Sequence, residues 1–403
     1  MVRQLIEYVL LGVSAAGVVP AVVMLAECVA ALWPRRFALA SPAPSTGARV
    51  AVLIPAHNEE SAIEETVRGI RSQLTAGDSV LVVADNCSDL TASRARAAGA
   101  DVLERFDESL RGKGFALAHG LRHLKDRPPE LVVFLDADTR AEPGAIRALR
   151  DCATAAQRPV QAVYLLDPPA GASATDLVSS FAFLVKNLVR PAGLARLGVP
   201  CLLVGTGMSI PWTLIDIDRL ATGNIVEDMQ LGIDLAIAGK PPLLCLDARV
   251  TGQLPAARQA ALVQRTRWEH GHLGTLLAES PRLVWESLKR GRPGLLAMAI
   301  DLAVPPLALF CLTWGLAASA SVAWWLRGGT RLPALLSAAS GGALFLSVFL
   351  AWVRHARGRV PVRALLLAPA YILWKIPVYL SFLFRRQKAW VRTPRDQATE
   401  APP

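Results

Sequence analysis

The 403-residue sequence contains no CxxC pair. Its six cysteines, Cys28, Cys87, Cys152, Cys201, Cys245 and Cys311, occur singly, at least two of them in apolar runs. That spacing excludes a disulfide framework or a zinc site. It reads as small buried side chains in a reducing compartment. Neither GxxxxGK[ST] nor GxGxxG occurs, which argues against a P-loop nucleotidase and a dinucleotide-dependent dehydrogenase. There is no internal repeat, no low-complexity tract and no nucleic-acid recognition motif. The net charge of +10 therefore needs another explanation. Arginines gather beside apolar segments, at 35–36, 354–363 and 385–395, as expected for positive-inside flanks and lipid contact rather than nucleic acid.

What is present is apolar. Hydrophobic residues make up 53% of the chain and the mean hydropathy is +0.36, values that point to membrane segments beside a folded domain. The run 5–33 is longer than a signal-peptide core, lacks a clear cleavage site and is followed by Arg35 and Arg36, so it reads as a retained transmembrane helix with cytoplasmic chain after it. Further spans are expected at 295–326, 332–353 and 364–384. Pro369, Lys375 and Pro377 weaken the last, which reads as interfacial or re-entrant. The expected division is a helix at 1–36, a linker at 37–48, a catalytic domain at 49–255, interfacial helices at 256–293, membrane segments at 294–385 and a basic tail at 386–403.

Between residue 49 and about residue 253 the pattern alternates. VAVLIPA, SVLVVAD and ELVVFLD are apolar runs that end in polar loops, and helical stretches such as EESAIEETVRGIRSQL and TASRARAAG intervene. Strand, polar loop and helix in repetition predict an α/β domain with a mostly parallel, Rossmann-like sheet. Ligands in such sheets bind beyond the carboxyl ends of the strands. The tips at 57–60, 85–89 and 136–138 should therefore line one crevice.

Each polar segment has a chemical reading and a plainer one. Asp136 and Asp138 in FLDADT suit one hard cation, Mg2+ or Mn2+, with phosphate oxygens completing the shell. They equally suit a solvated loop, with Thr139 capping the next helix. Asp85 in VVADNCSDLT can accept a nucleobase N–H, or the segment is an Asx turn with Asp89 or Thr91 as cap. Lys113 stands between two glycines ahead of a helix, suited to phosphate or to a solvated turn. Glu227 and Asp228 open an amphipathic helix. Asp228 suits a general base, and both acids suit a helix N-terminus. VGTGMSI allows close approach of a substrate, or is an ordinary turn. In QRTRWEHGHLG, Arg267 can grip a pyrophosphate and Trp268 can stack on a sugar, or the segment is an interfacial helix with snorkelling arginines. His270 and His272, two apart, do not share a helix face and do not make a metal pair.

In order, the chain reads PAHNE, ADNCSD, GKG, DAD, GTG, ED and QRTRW. Over residues 50–274 this order resembles a membrane-bound family 2 glycosyltransferase of the GT-A fold, in the group that includes cellulose, hyaluronan and poly-N-acetylglucosamine synthases. The resemblance implies a nucleotide-sugar site containing Pro55, Glu59, Asp85 against the uracil ring, Lys113, and Asp136 near the ribose and diphosphate. It implies Asp138 as the holder of the Mg2+ or Mn2+ ion and Asp228 as catalytic base. Glu227, Gln264, Arg267 and Trp268 would meet the diphosphate and the acceptor end. The sequence departs from the pattern at Ala84, where the family carries a first aspartate, and at Val226, where synthases often carry threonine. Four spans are also few for a self-contained polysaccharide channel, which puts processive secretion by this chain alone in doubt.

The implied activity is inverting transfer from a nucleoside diphosphate sugar, a UDP-sugar by Asp85, to a growing polysaccharide or lipid-linked acceptor, in exopolysaccharide or cell-surface glycan synthesis. The implied setting is a multi-pass inner-membrane protein with a cytoplasmic catalytic domain, in contact with lipids and a membrane partner subunit. The alternatives are transfer of a single sugar to a lipid carrier or glycolipid, and a non-catalytic scaffold or transporter subunit. The presence of Asp136, Asp138 and Asp228 speaks against the scaffold.

Overall fold

The computed structural model describes residues 1–34, 47–222, 226–255 and 257–384. Nearly all of the expected linker, and the whole basic tail 386–403, lie outside the described residues. The chain divides into two compact units. Among the described residues, one comprises those between 47 and 169 and between 200 and 271, and the other comprises 1–34, 170–199 and 272–384.

The first unit is built on an eight-stranded sheet. Its strands are β1 (Val50–Ala56), β2 (Ser79–Asp85), β3 (Asp101–Arg105), β4 (Leu131–Phe134), β5 (Arg140–Ala141), β6 (Val160–Asp167), β7 (Met208–Pro211) and β8 (Leu243–Gln253). The order is β3-β2-β1-β4-β7-β6-β8-β5. The first four strands are parallel, β7 runs antiparallel to both its neighbours, and β6 and β8 pair in parallel.

The central strands are almost continuously apolar because both their faces are covered. Alternation along β1 sorts its side chains between two cores. Val50, Val52 and Ile54 join Ile63, Val67 and Ile70 of the helix Ile63–Arg71 and Leu149 of the helix Ala145–Ala156. Leu53 faces the other way, towards Leu117 and Leu121 of the helix Lys113–Leu124 and Leu231 and Leu235 of the helix Glu227–Ile237. Each such fully buried branched side chain contributes about 2 kcal/mol. The chain passes from β1 to β2 on one side and later places β4 on the other. The order reverses at β1, and the crevice of such a sheet opens beyond the carboxyl ends there.

The second unit is helical. The helix Val2–Ala30 packs on Leu332–Ala351 and Leu307–Leu326, and Ser14 lies 3.2 Å from Ser321 Oγ and 3.1 Å from Ser337 Oγ. Near its end, buried Glu27 accepts from Arg190 Nε at 2.6 Å, and Arg190 Nη2 reaches Asp301 Oδ1 at 2.5 Å. Among the described residues, four helical stretches are long and apolar enough to cross a membrane: Val2–Ala30, Leu307–Leu326, Leu332–Ala356 and Val362–Phe384.

Two expectations change in detail. The run 295–326 is two helices, Pro293–Leu302 and Leu307–Leu326, because Pro305 and Pro306 cannot continue the first. The last segment is broken into Val362–Leu365, Ala368–Trp374 and Ile376–Phe384, with Pro369 and Pro377 in opening turns. Lys375 at the second break is buried and lies 5.2 Å from the Tyr371 ring centroid.

Candidate active site

The three parallel strands β1, β2 and β4 deliver the loops at 57–60, 86–90 and 136–139 to one edge of the sheet. The first two loops are stitched together. His57 Nδ1 lies 2.7 Å from the Asp85 carbonyl, the Ser88 N–H donates to Asn58 Oδ1 at 2.7 Å, and the Glu59 N–H donates to Thr91 Oγ1 at 2.8 Å. Asp89 accepts from both the N–H and the hydroxyl of Thr91, at 3.0 and 2.5 Å, so the turn reading of that segment describes its local geometry. Pro55 lies within β1, half-buried, and Glu59 follows at its exit.

The GTG loop closes the other side. β7 pairs antiparallel with β4, and the Gly207 N–H donates to the Phe134 carbonyl at 2.9 Å. This brings Thr206 under the acidic pair. Its Oγ1 accepts from the Asp136 N–H at 3.0 Å and lies 3.3 Å from Thr139 Oγ1. Thr139 is thus buried beneath the loop and caps no helix. The following residues form β5, and the next helix starts after Gly144, which has φ +84°. Gln161 on β6, which carries no sequence signal, holds the loop from below. Its Nε2 donates to the Thr206 carbonyl at 2.8 Å, and its Oε1 accepts from the Val204 N–H at 3.0 Å.

Lys113 joins these pieces. Gly112 takes φ +136°, and a Cβ on Gly114 would collide with the Leu220 carbonyl, so glycine is required on both sides of the lysine. Lys113 Nζ donates to Asp136 Oδ1 at 2.5 Å and to the Gly205 carbonyl at 2.7 Å. Asp228 stands next to the same glycine: a Cβ on Gly205, whose φ is +86°, would lie 2.9 Å from Asp228 Oδ2 and 3.5 Å from Lys113 Nζ. Burial alone would lower the Lys113 pKa, but Asp136, Glu227 and Asp228 outweigh it and hold the ammonium above its usual value. Burial and the neighbouring Asp228 push the Glu227 carboxyl up to about 7, against the pull of Lys113.

Asp136 and Asp138 fit a hard divalent cation. Both are half-exposed carboxylates at the strand edge. Among the described residues no cluster of three His, Cys, Asp or Glu side chains could hold a metal, so water and diphosphate oxygens would complete the shell, as Mg2+ and Mn2+ accept.

A profile of the Glycosyltransferase like family 2 matches residues 48–271, more than half of the 403-residue chain. The chain belongs to this family. It is a glycosyltransferase with the GT-A fold. Among solved structures, the mannosyltransferase from Pyrobaculum calidifontis in complex with GDP-Man and Mn2+ is 20% identical with a TM-score of 0.59, over 95% of this chain and 100% of that one. The glucosyl-3-phosphoglycerate synthase from Mycobacterium tuberculosis, solved with Mn2+, UDP and phosphoglyceric acid, is 24% identical with a TM-score of 0.34, over 54% of this chain and 78% of that one. No curated protein sequence matches.

In this glycosyltransferase, Lys113, Asp136, Gly205, Glu227 and Asp228 form one group and Asp85 lies along the same edge. Gln264, Arg267 and Trp268 lie on the helix Arg258–Arg290, where spacings of three and four place them on one face. Gln264 is buried and its Oε1 has no hydrogen-bond partner among the described residues, while Arg267 and Trp268 are half-buried. That helix passes beside the residue that precedes Glu227: a Cβ on Gly271 would lie 2.5 Å from Val226 Cγ1.

Sequence reasoning missed Arg105. It ends β3 directly opposite Asp85 in the parallel register. Its Nη1 donates to Asp85 Oδ1 at 2.5 Å, and its Nη2 donates to Asp107 Oδ2 at 3.2 Å and to the Leu110 carbonyl at 2.8 Å. The signal was an arginine closing the short, half-exposed strand DVLER, which acquires meaning only through strand register.

Proposed function

We propose that this glycosyltransferase moves a sugar from a nucleoside diphosphate sugar to a hydroxyl of a growing polysaccharide or lipid-linked acceptor, with inversion at the anomeric carbon. The observation that carries this reading is the meeting of Lys113, Asp136 and Asp228 around the Gly205 backbone, at one edge of a parallel sheet. The structurally similar mannosyltransferase, solved with GDP-Man and Mn2+, supports a donor of this class.

Each residue then has a task. Asp85 receives the base, with Pro55 and Glu59 beside it. Asp136 and Asp138 would hold Mg2+ or Mn2+, which when bound neutralises charge on the diphosphate. Lys113 orients Asp136 and adds positive charge beside the phosphates. Arg267 grips the departing diphosphate, while Gln264 and Trp268 meet the acceptor end. Asp228 accepts the proton of the acceptor hydroxyl as it attacks the face opposite the leaving group, so that one displacement converts an α-linked donor into a β-linked product. Glu227, protonated up to about pH 7, limits the negative charge next to that base. The enzyme would work from the cytoplasmic face of the inner membrane, among lipids and with a membrane partner subunit.

The test is sugar transfer by membranes carrying the protein, with labelled UDP- and GDP-sugars, Mg2+ or Mn2+, and Asp228→Asn as blank. Label in polymer supports the polysaccharide acceptor. Label in solvent-extractable lipid means transfer of single sugars, and the polysaccharide reading falls. Transfer by Asp228→Asn near the wild-type rate removes Asp228 as base.

A further inference from the structure

The base-binding end of the site holds an asymmetry. Asp85 is a buried carboxylate, its side chain 9% exposed. One of its oxygens is fully engaged. Oδ1 accepts from Arg105 Nη1 at 2.5 Å and from Asn86 Nδ2 at 3.2 Å. A carboxylate oxygen offers about two lone-pair positions, so Oδ1 has no capacity left for a ligand. No hydrogen bond reaches Oδ2 from the described residues.

Both donors are themselves held. Arg105 Nη2 is fixed by Asp107 and the Leu110 carbonyl. Asn86 takes a left-handed φ of +52°, receives the Asp107 N–H on its Oδ1 at 2.8 Å, and donates its own N–H to the Arg105 carbonyl at 2.7 Å. The filled oxygen is therefore built into the junction of β2 and β3.

Uracil and guanine ask different things of such a carboxylate. Uracil presents one imide N–H between two carbonyls, and one acceptor oxygen satisfies it. Guanine presents N1–H and N2–H side by side, and a carboxylate recognises that pair by offering both oxygens. With Oδ1 filled, guanine leaves one donor unpaired in a buried site, which is costly. We propose that Arg105, by saturating one oxygen of Asp85, is a positioning residue that makes this enzyme select a uridine over a guanosine diphosphate donor. This rests on the placement of the base at Asp85 under the proposed function. It departs from the structurally similar mannosyltransferase, which was solved with GDP-Man.

The test uses the full-length protein in detergent with Mn2+, and titrates UDP and GDP by calorimetry. The wild type is expected to bind UDP on the order of tenfold more tightly than GDP. Arg105→Met, which frees Oδ1, is expected to bring the two affinities to within about threefold. Arg105→Lys, which keeps one donor, should retain most of the preference. If Arg105→Met does not fold, Arg105→Ala, which likewise donates nothing to Oδ1, carries the test with the same narrowing to within about threefold. A wild type that binds GDP as well as UDP, or neither, overturns the proposal, as does a ratio unchanged in Arg105→Met or Arg105→Ala. Asp85→Asn separates this failure from that of the underlying reading. If it leaves both affinities unchanged, the base does not sit at Asp85. If it weakens UDP while the Arg105 variants keep the ratio, only the role of Arg105 is lost.

Discussion

Replacing Gly205 by alanine separates backbone strain from displacement of Asp228, the proposed base. Two costs arise at this position. The backbone stands at φ +86°, where a Cβ costs about 1–2 kcal/mol. The new methyl would also lie 2.9 Å from Asp228 Oδ2, whereas ordinary contact begins near 3.4 Å, so the carboxylate must retreat by about 0.5 Å. A misplacement of about 1 Å in a reacting group costs on the order of 100-fold in rate, so about tenfold is expected here. Gly144 supplies the control, because its φ is +84° and, among the described residues, nothing lies within 4 Å of its would-be Cβ. Gly144→Ala and Gly205→Ala should therefore lower Tm by similar amounts, roughly 2–4 °C. Only Gly205→Ala should lower kcat, by about tenfold, in initial-rate assays at saturating donor. Equal kcat in the two variants would refute the argument that the bare backbone at Gly205 positions Asp228.

Three further outcomes follow from the same geometry. Chelation by EDTA should abolish transfer, with recovery on adding Mn2+ or Mg2+, and Asp138→Ala should raise the concentration of Mn2+ needed for half-maximal rate; activity indifferent to EDTA would remove the metal. Glu227 is raised by burial and by Asp228 to about 7, so its folded form binds a proton more tightly than the unfolded chain, and the stability it contributes falls as pH rises from about 4.5 to 7. The Tm of Glu227→Gln relative to wild type should then climb between pH 5 and pH 8, and a constant difference would contradict the assignment. In the helical unit, Glu27→Gln weakens the buried contact with Arg190 and should cost about 2 kcal/mol, read as a lower Tm in detergent; an unchanged Tm would mean that Asp301 alone satisfies the arginine.

Local chemistry in the sequence determined a good deal. Apolar runs of strand length ending in polar tips specify a parallel α/β sheet, because a strand buried on both faces must be apolar throughout and its loops must leave the core. The same logic marked the long apolar helices, and proline chemistry accounts for the three places where they break, at Pro305–Pro306, ahead of Pro369 and around Lys375. The ends of β1, β2 and β4 were legible as one functional edge, because parallel strands put their carboxyl ends together.

Only the tertiary structure decided how those polar groups are shared. Lys113 reaches the Gly205 carbonyl across 92 residues of sequence, and Arg105 reaches Asp85 across 20. Such pairings depend on strand order and register, which hydrophobic patterning fixes by face but does not reveal by partner. For the same reason the antiparallel β7, which seats Thr206 beneath Asp136 and leaves Thr139 buried instead of capping a helix, could not be read from its four residues. Residue type and spacing supplied the chemical groups at the edge. The close packing of elements distant in sequence set which oxygen of Asp85 is filled, and which glycine leaves room for Asp228.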